Sequence, residues 1–202
     1  MRRHLSAEDL QELTERLWVE RHLLERLEFK LEAAKLFLAA DARRFVAPAL
    51  AEVELLVEHI QAAEPPRALA VAAAVRECGV DPRHVTLGDL ARRAPEPAAA
   101  LLADHRDAMV LLTCDVEALS TATRLMAQTA LDRPSTGVRA LPADEVLVVR
   151  DAMATSDGSR SLALVEATLE TWLEQAAYRS LIVTMRHVVP PSLKEFLGPI
   201  GG

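Results

Sequence analysis

Histidines and carboxylates are the residues of this chain that could do chemistry. His22, His59 and His105 fall on three different predicted helices, which a helical bundle could bring together around a metal ion. No HExxH pair occurs, and the Glu-x-x-His spacing that holds carboxylate-bridged metals in bundles is absent. Each histidine is therefore interpreted as a surface or hydrogen-bonded structural residue, and we expect neither a metal nor a cofactor.

Motifs for phosphate binding and nucleophilic catalysis are also missing from the sequence. No GxxxxGK[ST], GxGxxG or GxSxG pattern occurs, and the acidic residues lie along predicted helices as solvated faces. Cys78 and Cys114 have no CxxC spacing, which favours a reducing compartment and small core residues. The sequence predicts a protein that is not an enzyme.

Residues 10–38 form the element around which the rest of the chain is expected to pack. Apolar residues recur there at alternating spacings of three and four, as in a coiled-coil seam, and only Glu20 interrupts the seam. Ser6 and Asp9 have the spacing of a capping box at the helix start. A second apolar row lies beside the seam: Leu23, Phe29, Leu36 and Phe37. Because the stripe is wider than a helix pair needs, we expect an all-α fold, a long antiparallel bundle with coiled-coil character.

Prolines and glycines divide the next part of the chain. Pro48 suits the first turn of a second helix, where its missing N–H costs nothing. Pro65 and Pro66 predict a kink or short break in that helix, and Gly79 is placed to end it as a left-handed cap residue.

The remaining elements follow from similar signals. Thr86 and Asp89 predict a capping box before a short helix, Leu87–Arg93. A second long helix is expected from about residue 97 to 126, lying antiparallel to the first. Ser192 is expected to cap a final turn over residues 193–197. The domains expected are a bundle core over 1–130, a linker with a short helix over 131–161, and a C-terminal amphipathic helix and tail over 162–202.

Composition narrows the function classes. The formal net charge of −7 removes the electrostatic basis for binding nucleic acid or anionic lipid. Only 3% of residues are aromatic, so Leu, Val and Ala must build the core. No apolar run approaches the ~20 residues of a membrane span, and the charged amino terminus lacks a signal-peptide core. We therefore expect a cytoplasmic protein with no membrane insertion and a protein partner.

The carboxy-terminal region is more densely apolar than one buried stripe requires. Two interpretations stay open for it: packing onto the parent bundle, or a surface that binds a partner helix. The candidate partner-binding residues are Leu181, Ile182, Met185, Val188, Val189, Leu193, Phe196 and Leu197.

The order of several motifs resembles one known family. The run from Leu17-Trp18-x-Glu20-Arg21 to Phe29-Lys30-Leu31-Glu32 is similar to the first helix of FlgN-type flagellar export chaperones, in their high-GC Gram-positive form. Three later pieces and the ending agree in order: Ala51-Glu52-Val53-Glu54, Thr86-Leu87-x-Asp89-Leu90 with Ala94-Pro95-Glu96-Pro97, Asp104-His105-Arg106, and Pro191-Ser192-Leu193-Lys194-Glu195-Phe196-Leu197. Residues 131–161 and the pair Pro65-Pro66 depart from the family pattern.

The resemblance implies an all-helical cytosolic chaperone of the flagellar type III export system. Such chaperones bind hook-filament junction proteins without ATP, keep them soluble and unpolymerised before export, and can contact export apparatus components. In that family the carboxy-terminal amphipathic segment is a principal client contact, which matches residues 181–189 and 193–197 here.

Two other functions stay open from the sequence. A homodimeric coiled-coil adaptor or regulator would use the carboxy-terminal helix to complete its own bundle, so that removing residues 188–202 would unfold it. A bundle metalloprotein would assemble its site from scattered His and Glu residues.

Overall fold

The computed structural model describes residues 5–132, 175–186 and 188–199 of the 202-residue chain. This part is helical, without strands, and its α-helices are α1 (Ala7–Ala39), α2 (Arg43–Val75), α3 (Leu87–Arg93), α4 (Ala98–Asp132), α5 (residues 175–184) and α6 (Pro191–Leu197). Two 3-10 turns, Arg76–Cys78 and Pro82–His84, join α2 to α3. The all-α helical bundle predicted from the sequence is confirmed. Among the described helices, none combines the length and apolarity that crossing a bilayer requires.

Three long helices form the core. The seam of α1 is buried along its length, with Leu13, Leu17 and Leu24 fully inaccessible. On α2 the inward residues include Val53 and Ile60, and on α4 they include Leu102, Met109 and Val116. The apolar residues that recur at heptad-like spacing therefore belong to one continuous hydrophobic core. In this core α1 packs against α2 on one side and against α4 on the other.

The direction of α2 follows from its pairs with α1. Lys30 pairs with Glu52, and Phe37 packs on Phe45 with ring centroids 5.4 Å apart. Positions therefore rise along α1 as they fall along α2, which makes this pair antiparallel.

Helix α4 runs in the same direction as α1, which corrects the antiparallel arrangement expected for it. Arg21 Nη1 lies 3.1 Å from Asp104 Oδ2, and the start of α1 at Leu10 lines a cleft with the start of α4 at Ala98. The cause is the uninterrupted return of α2 over 33 residues, which brings the chain back to the end where α1 begins.

The prolines of α2 differ from the sequence expectation. The helix starts at Arg43, so Pro48 lies beyond its first turn, and the helix continues through Pro65 and Pro66 without a break. The two carbonyls that lose donors, those of Gln61 and Ala62, belong to exposed residues, where water can supply the hydrogen bonds.

The residues that the sequence predicts at helix ends agree with the structure in two cases and differ in a third. Gly79 adopts the left-handed conformation expected, with φ +66°, and Thr86 with Asp89 forms the expected capping box in front of α3. Ser6 does precede α1, but its side chain makes no capping hydrogen bond. The expected linker and short helix over 131–161 lie outside the described residues apart from the last turn of α4, and so do 162–174.

Candidate partner-binding site

The described residues of 175–199, which we call the C-terminal segment, lie along α2. Ser180 Oγ donates to Glu54 Oε1 at 2.5 Å, and Ser192 Oγ donates to Glu64 Oε1 at 2.5 Å. Residue numbers rise together in both pairs, so the segment runs parallel to α2. Each pair joins a hydroxyl to a carboxylate at the solvent-exposed edge of the bundle, so the two hydrogen bonds fix the register of the segment on α2.

The other side of the C-terminal segment contacts α4. Ser120 Oγ donates to the backbone oxygen of Met185 at 3.0 Å, and Lys194 forms an ion pair with Glu117. Here the numbers run in opposite directions, so the segment is antiparallel to α4. The C-terminal segment therefore fills the groove between α2 and α4.

The predicted partner-binding residues mostly face this groove. Ile182 is partly buried, and the other seven are buried: Leu181, Met185, Val188, Val189, Leu193, Phe196 and Leu197. In this conformation they belong to the core rather than to an accessible surface, because they join one hydrophobic cluster with apolar residues of α2 and α4, beside polar contacts such as the one from Ser120. In the structure the segment packs on the parent bundle, and partner binding by these residues stays a prediction. Val183, 66% exposed, is the large apolar residue that it presents to solvent.

The cap expected at Ser192 is not formed. Helix α6 begins at Pro191 after Pro190, and no side chain caps it. The Ser192 hydroxyl donates to Glu64 instead, so it serves docking rather than helix initiation.

A buried ion pair lies under α6. Arg67 Nε donates to Glu20 Oε1 at 2.9 Å, and the two side chains are only 5% and 2% exposed. The guanidinium carbon of Arg67 lies 4.7 Å from the ring centroid of Phe196, a cation–π geometry. Three elements, α1, α2 and α6, therefore meet at this charged group.

Burial dominates the ionisation of Glu20. It raises the pKa of Glu20 to about 7, against the lowering effect of the Arg67 charge and hydrogen bond, and the nearby charge of Glu64 raises the pKa further. Its second oxygen, Oε2, has no hydrogen-bond partner among the described residues. Glu20, the residue that interrupts the apolar seam of α1, is thus a buried carboxyl group, and one of its oxygens lacks a hydrogen bond within the described residues.

His105 is a second buried titratable group. It is inaccessible to solvent, and neither ring nitrogen has a hydrogen-bond partner in the described part of the chain. The ring packs edge-on against Trp18, with centroids 4.8 Å apart. Burial lowers the pKa of His105, and the positive charge of Arg21 lowers it further while Asp104 opposes both. His105 is therefore neither a surface histidine nor a hydrogen-bonded one, which corrects the sequence interpretation for this residue.

The other histidines of the trio considered for a metal do not join His105. His22 has a 69% exposed side chain, 3.8 Å from Glu25 through Nδ1 and Oε2, and His59 is exposed on α2. Within the described residues no group of three or more His, Cys, Asp or Glu side chains could hold a metal ion.

Sequence reasoning missed Arg67, although a signal for it was present. Val53, Ile60, Arg67 and Ala74 recur every seven residues on the inward face of α2. An arginine in that row, with a glutamate in the seam of α1, predicts a pair of opposite charges inside one bundle.

Comparison with models of known protein families, with curated proteins and with solved structures finds no match to this chain. By its fold and its candidate site, the described part of the chain is an all-α bundle whose C-terminal segment lies in a groove between two long helices.

Proposed function

We propose that this chain is a cytoplasmic export chaperone of the FlgN type. It would bind hook-filament junction proteins and keep them soluble and unpolymerised until the flagellar type III export system takes them. The proposal rests on the ordered resemblance between residues 10 and 130 and on the tail at 191–197. It requires no catalytic residue, metal or cofactor.

The observation that carries the proposal is the groove between α2 and α4. It already holds an amphipathic helical segment, through Leu181, Met185 and Leu193 on the apolar side. A client helix of the same character would find the same apolar walls if the C-terminal segment moved away, and the released segment would offer its own apolar residues to the client. Each buried Å² of apolar area contributes ~25 cal/mol, offset by the cost of ordering the client.

A crosslinking experiment tests this proposal without removing core residues. In a Cys78→Ala, Cys114→Ala background, Glu64→Cys and Ser192→Cys replace a pair that is in side-chain contact, so a short bismaleimide can tie α6 to α2. Binding of purified hook-filament junction proteins is measured before and after crosslinking. We expect the open form to bind, and the tied form to bind at least tenfold more weakly.

The same substitutions without crosslinker are the matched control. If neither form binds a junction protein, the family assignment fails. If both forms bind equally, the client contacts another surface and the groove has no role in client binding.

A structural adaptor is the second candidate function, and the burial of the C-terminal segment favours it. Phe196 and Leu197 are buried, as expected for a helix that completes its own bundle. A chain ending at Arg186 distinguishes the two: a less stable product that still folds and unfolds cooperatively in urea supports the chaperone, and an unfolded product supports the adaptor.

A further inference from the structure

Helix α2 carries a second apolar stripe on its outward side. Positions 45, 48, 52, 55, 59, 62, 66 and 69 alternate at spacings of three and four, the same repeat that buries the seam of α1. We call this set the outer stripe. Six of its eight residues are apolar: Phe45, Pro48, Leu55, Ala62, Pro66 and Leu69. Glu52 and His59 interrupt it.

The outer stripe faces solvent in the structure. Leu69 is 72% exposed, Leu55 51% and Phe45 43%, whereas Val53 and Ile60 on the inward side of the same helix are 0% and 1% exposed. One apolar face packs α2 into the bundle, and apart from the contact of Phe45 with Phe37 the described residues do not account for the second face. A face of this kind on a long helix is suited to pairing with another helix.

Two of the four glutamates between Phe45 and Pro66 lie at the outer stripe, Glu52 within it and Glu58 at its edge, and this part of α2 has no lysine or arginine. Glu52 pairs with Lys30 of α1, whereas the other two glutamates accept hydrogen bonds from Ser180 and Ser192 on the groove side. Glu58 lies three residues after Leu55 and four before Ala62, so it borders the stripe, and it makes no ion pair with the described residues. Glu58 lies near the middle of the outer stripe, so a second copy paired through this face would bring two unpaired Glu58 carboxylates together, which disfavours self-association.

We propose that the outer stripe binds an amphipathic helix of a partner protein, with apolar residues at three-four spacing and Lys or Arg at its margins. The 22 residues from Pro48 to Leu69 extend over ~31 Å, which corresponds to about three heptads of a partner helix. Among the described residues, those of the outer stripe do not contact the C-terminal segment, although Glu58 at the edge of the stripe lines a cavity with Ser180 and Val183 of that segment. The inference therefore stands whether or not the chain is an export chaperone.

Two synthetic helical peptides of three heptads test the proposal on the full-length chain. Both carry leucine at the seam, and they differ in having lysine or glutamate at the flanking positions. Fluorescence anisotropy of labelled peptide measures binding. We expect the lysine peptide to bind at least tenfold more tightly than the glutamate peptide, and to weaken as salt is raised.

Matched substitutions locate the binding face. Leu55→Lys with Leu69→Lys is expected to reduce lysine-peptide binding at least tenfold. Leu111→Lys with Leu125→Lys alters two leucines of α4 that are 66% and 68% exposed, adds the same charge, and is expected to leave binding within twofold. Because all four leucines are exposed, circular dichroism should show each variant folded. The milder pair Leu55→Ala and Leu69→Ala gives the same comparison if a lysine variant unfolds.

Three results would overturn the proposal. They are equal binding of the two peptides, equal losses from the α2 and α4 variants, and no peptide binding by the full chain. In the last case sedimentation distinguishes the alternatives: a dimer abolished by Leu55→Lys and Leu69→Lys identifies a second copy as the occupant, and a monomer shows that the stripe binds neither a second copy nor a basic amphipathic helix.

Discussion

Arg67 of α2 donates a 2.9 Å hydrogen bond to Glu20 of α1 while the two side chains remain almost fully shielded from solvent. The ring of Phe196 in α6 covers the same guanidinium. The C-terminal segment therefore contacts the ion pair that joins the first two helices.

Replacing Arg67 with methionine should be strongly destabilising at pH 8. The change leaves Glu20 buried without its counter-charge, a situation that typically costs about 3 kcal/mol or more. The loss should shrink at pH 5, where Glu20 is protonated. Urea unfolding at the two pH values measures it, and the double variant Glu20→Leu, Arg67→Met should recover most of the loss. Equal losses for the single and double variants would contradict the role of the pair.

The raised pKa of Glu20 makes stability depend on pH. Between its ordinary value of 4.5 and the folded value of about 7, the folded protein keeps a proton that the unfolded chain releases. The contribution of Glu20 to the free energy of unfolding is thus full below pH 4.5 and is lost as pH rises through 7, by about 3 kcal/mol. Glu20→Gln cannot titrate, so its stability relative to wild type should rise over this range. A difference that stays constant from pH 5 to 8 would contradict this assignment.

Phe196→Ala should destabilise the protein by about 3 kcal/mol, because it leaves a cavity at a 6% exposed site and uncovers the Arg67 guanidinium. Phe29→Ala is the matched control, since Phe29 is 68% exposed and its loss should stay within about 0.5 kcal/mol. Chemical denaturation measures both. Similar small effects would show that α6 contributes little to the folded state.

Sequence signals that act within a few residues predicted the structure better than relationships between residues far apart in the chain. The bounds Leu87–Arg93 matched α3, because a capping box fixes a helix start within four residues. The partner of Glu20 lies 47 positions away, where no local rule applies, although both residues occupy inward rows. The direction of α4 depended on whether α2 continues through Pro65 and Pro66. A helix can continue through these prolines when water reaches the carbonyls of Gln61 and Ala62, which lose their backbone donors. Whether water reaches them depends on how the helices pack, which the local sequence does not show.

Thr86→Ala should cost about 1 kcal/mol, because Thr86 Oγ1 accepts from the Asp89 N–H at 3.1 Å and the cap is lost. The hydrogen bonds from Thr86 also hold the pKa of Asp89 below its ordinary value, so this contribution should fade as pH falls through that pKa. Ser6→Ala is the matched control at the start of α1, where the serine side chain makes no cap bond, and should stay within about 0.5 kcal/mol. Thermal or urea unfolding compares them. Equal losses would show that the two caps do not differ.

His105 should give the opposite pH dependence to Glu20. Because burial lowers its pKa, the unfolded chain binds a proton at His105 before the folded protein does as pH falls below the ordinary value of 6.5. Wild type therefore loses stability there, and His105→Leu should gain stability relative to wild type between pH 7 and pH 5. Urea unfolding across this range measures the change, and a constant difference would contradict it. Glu20 and His105 affect stability over overlapping pH ranges with opposite signs. Each single variant should therefore expose the pH dependence of the other residue, which the replaced group masks in the wild type.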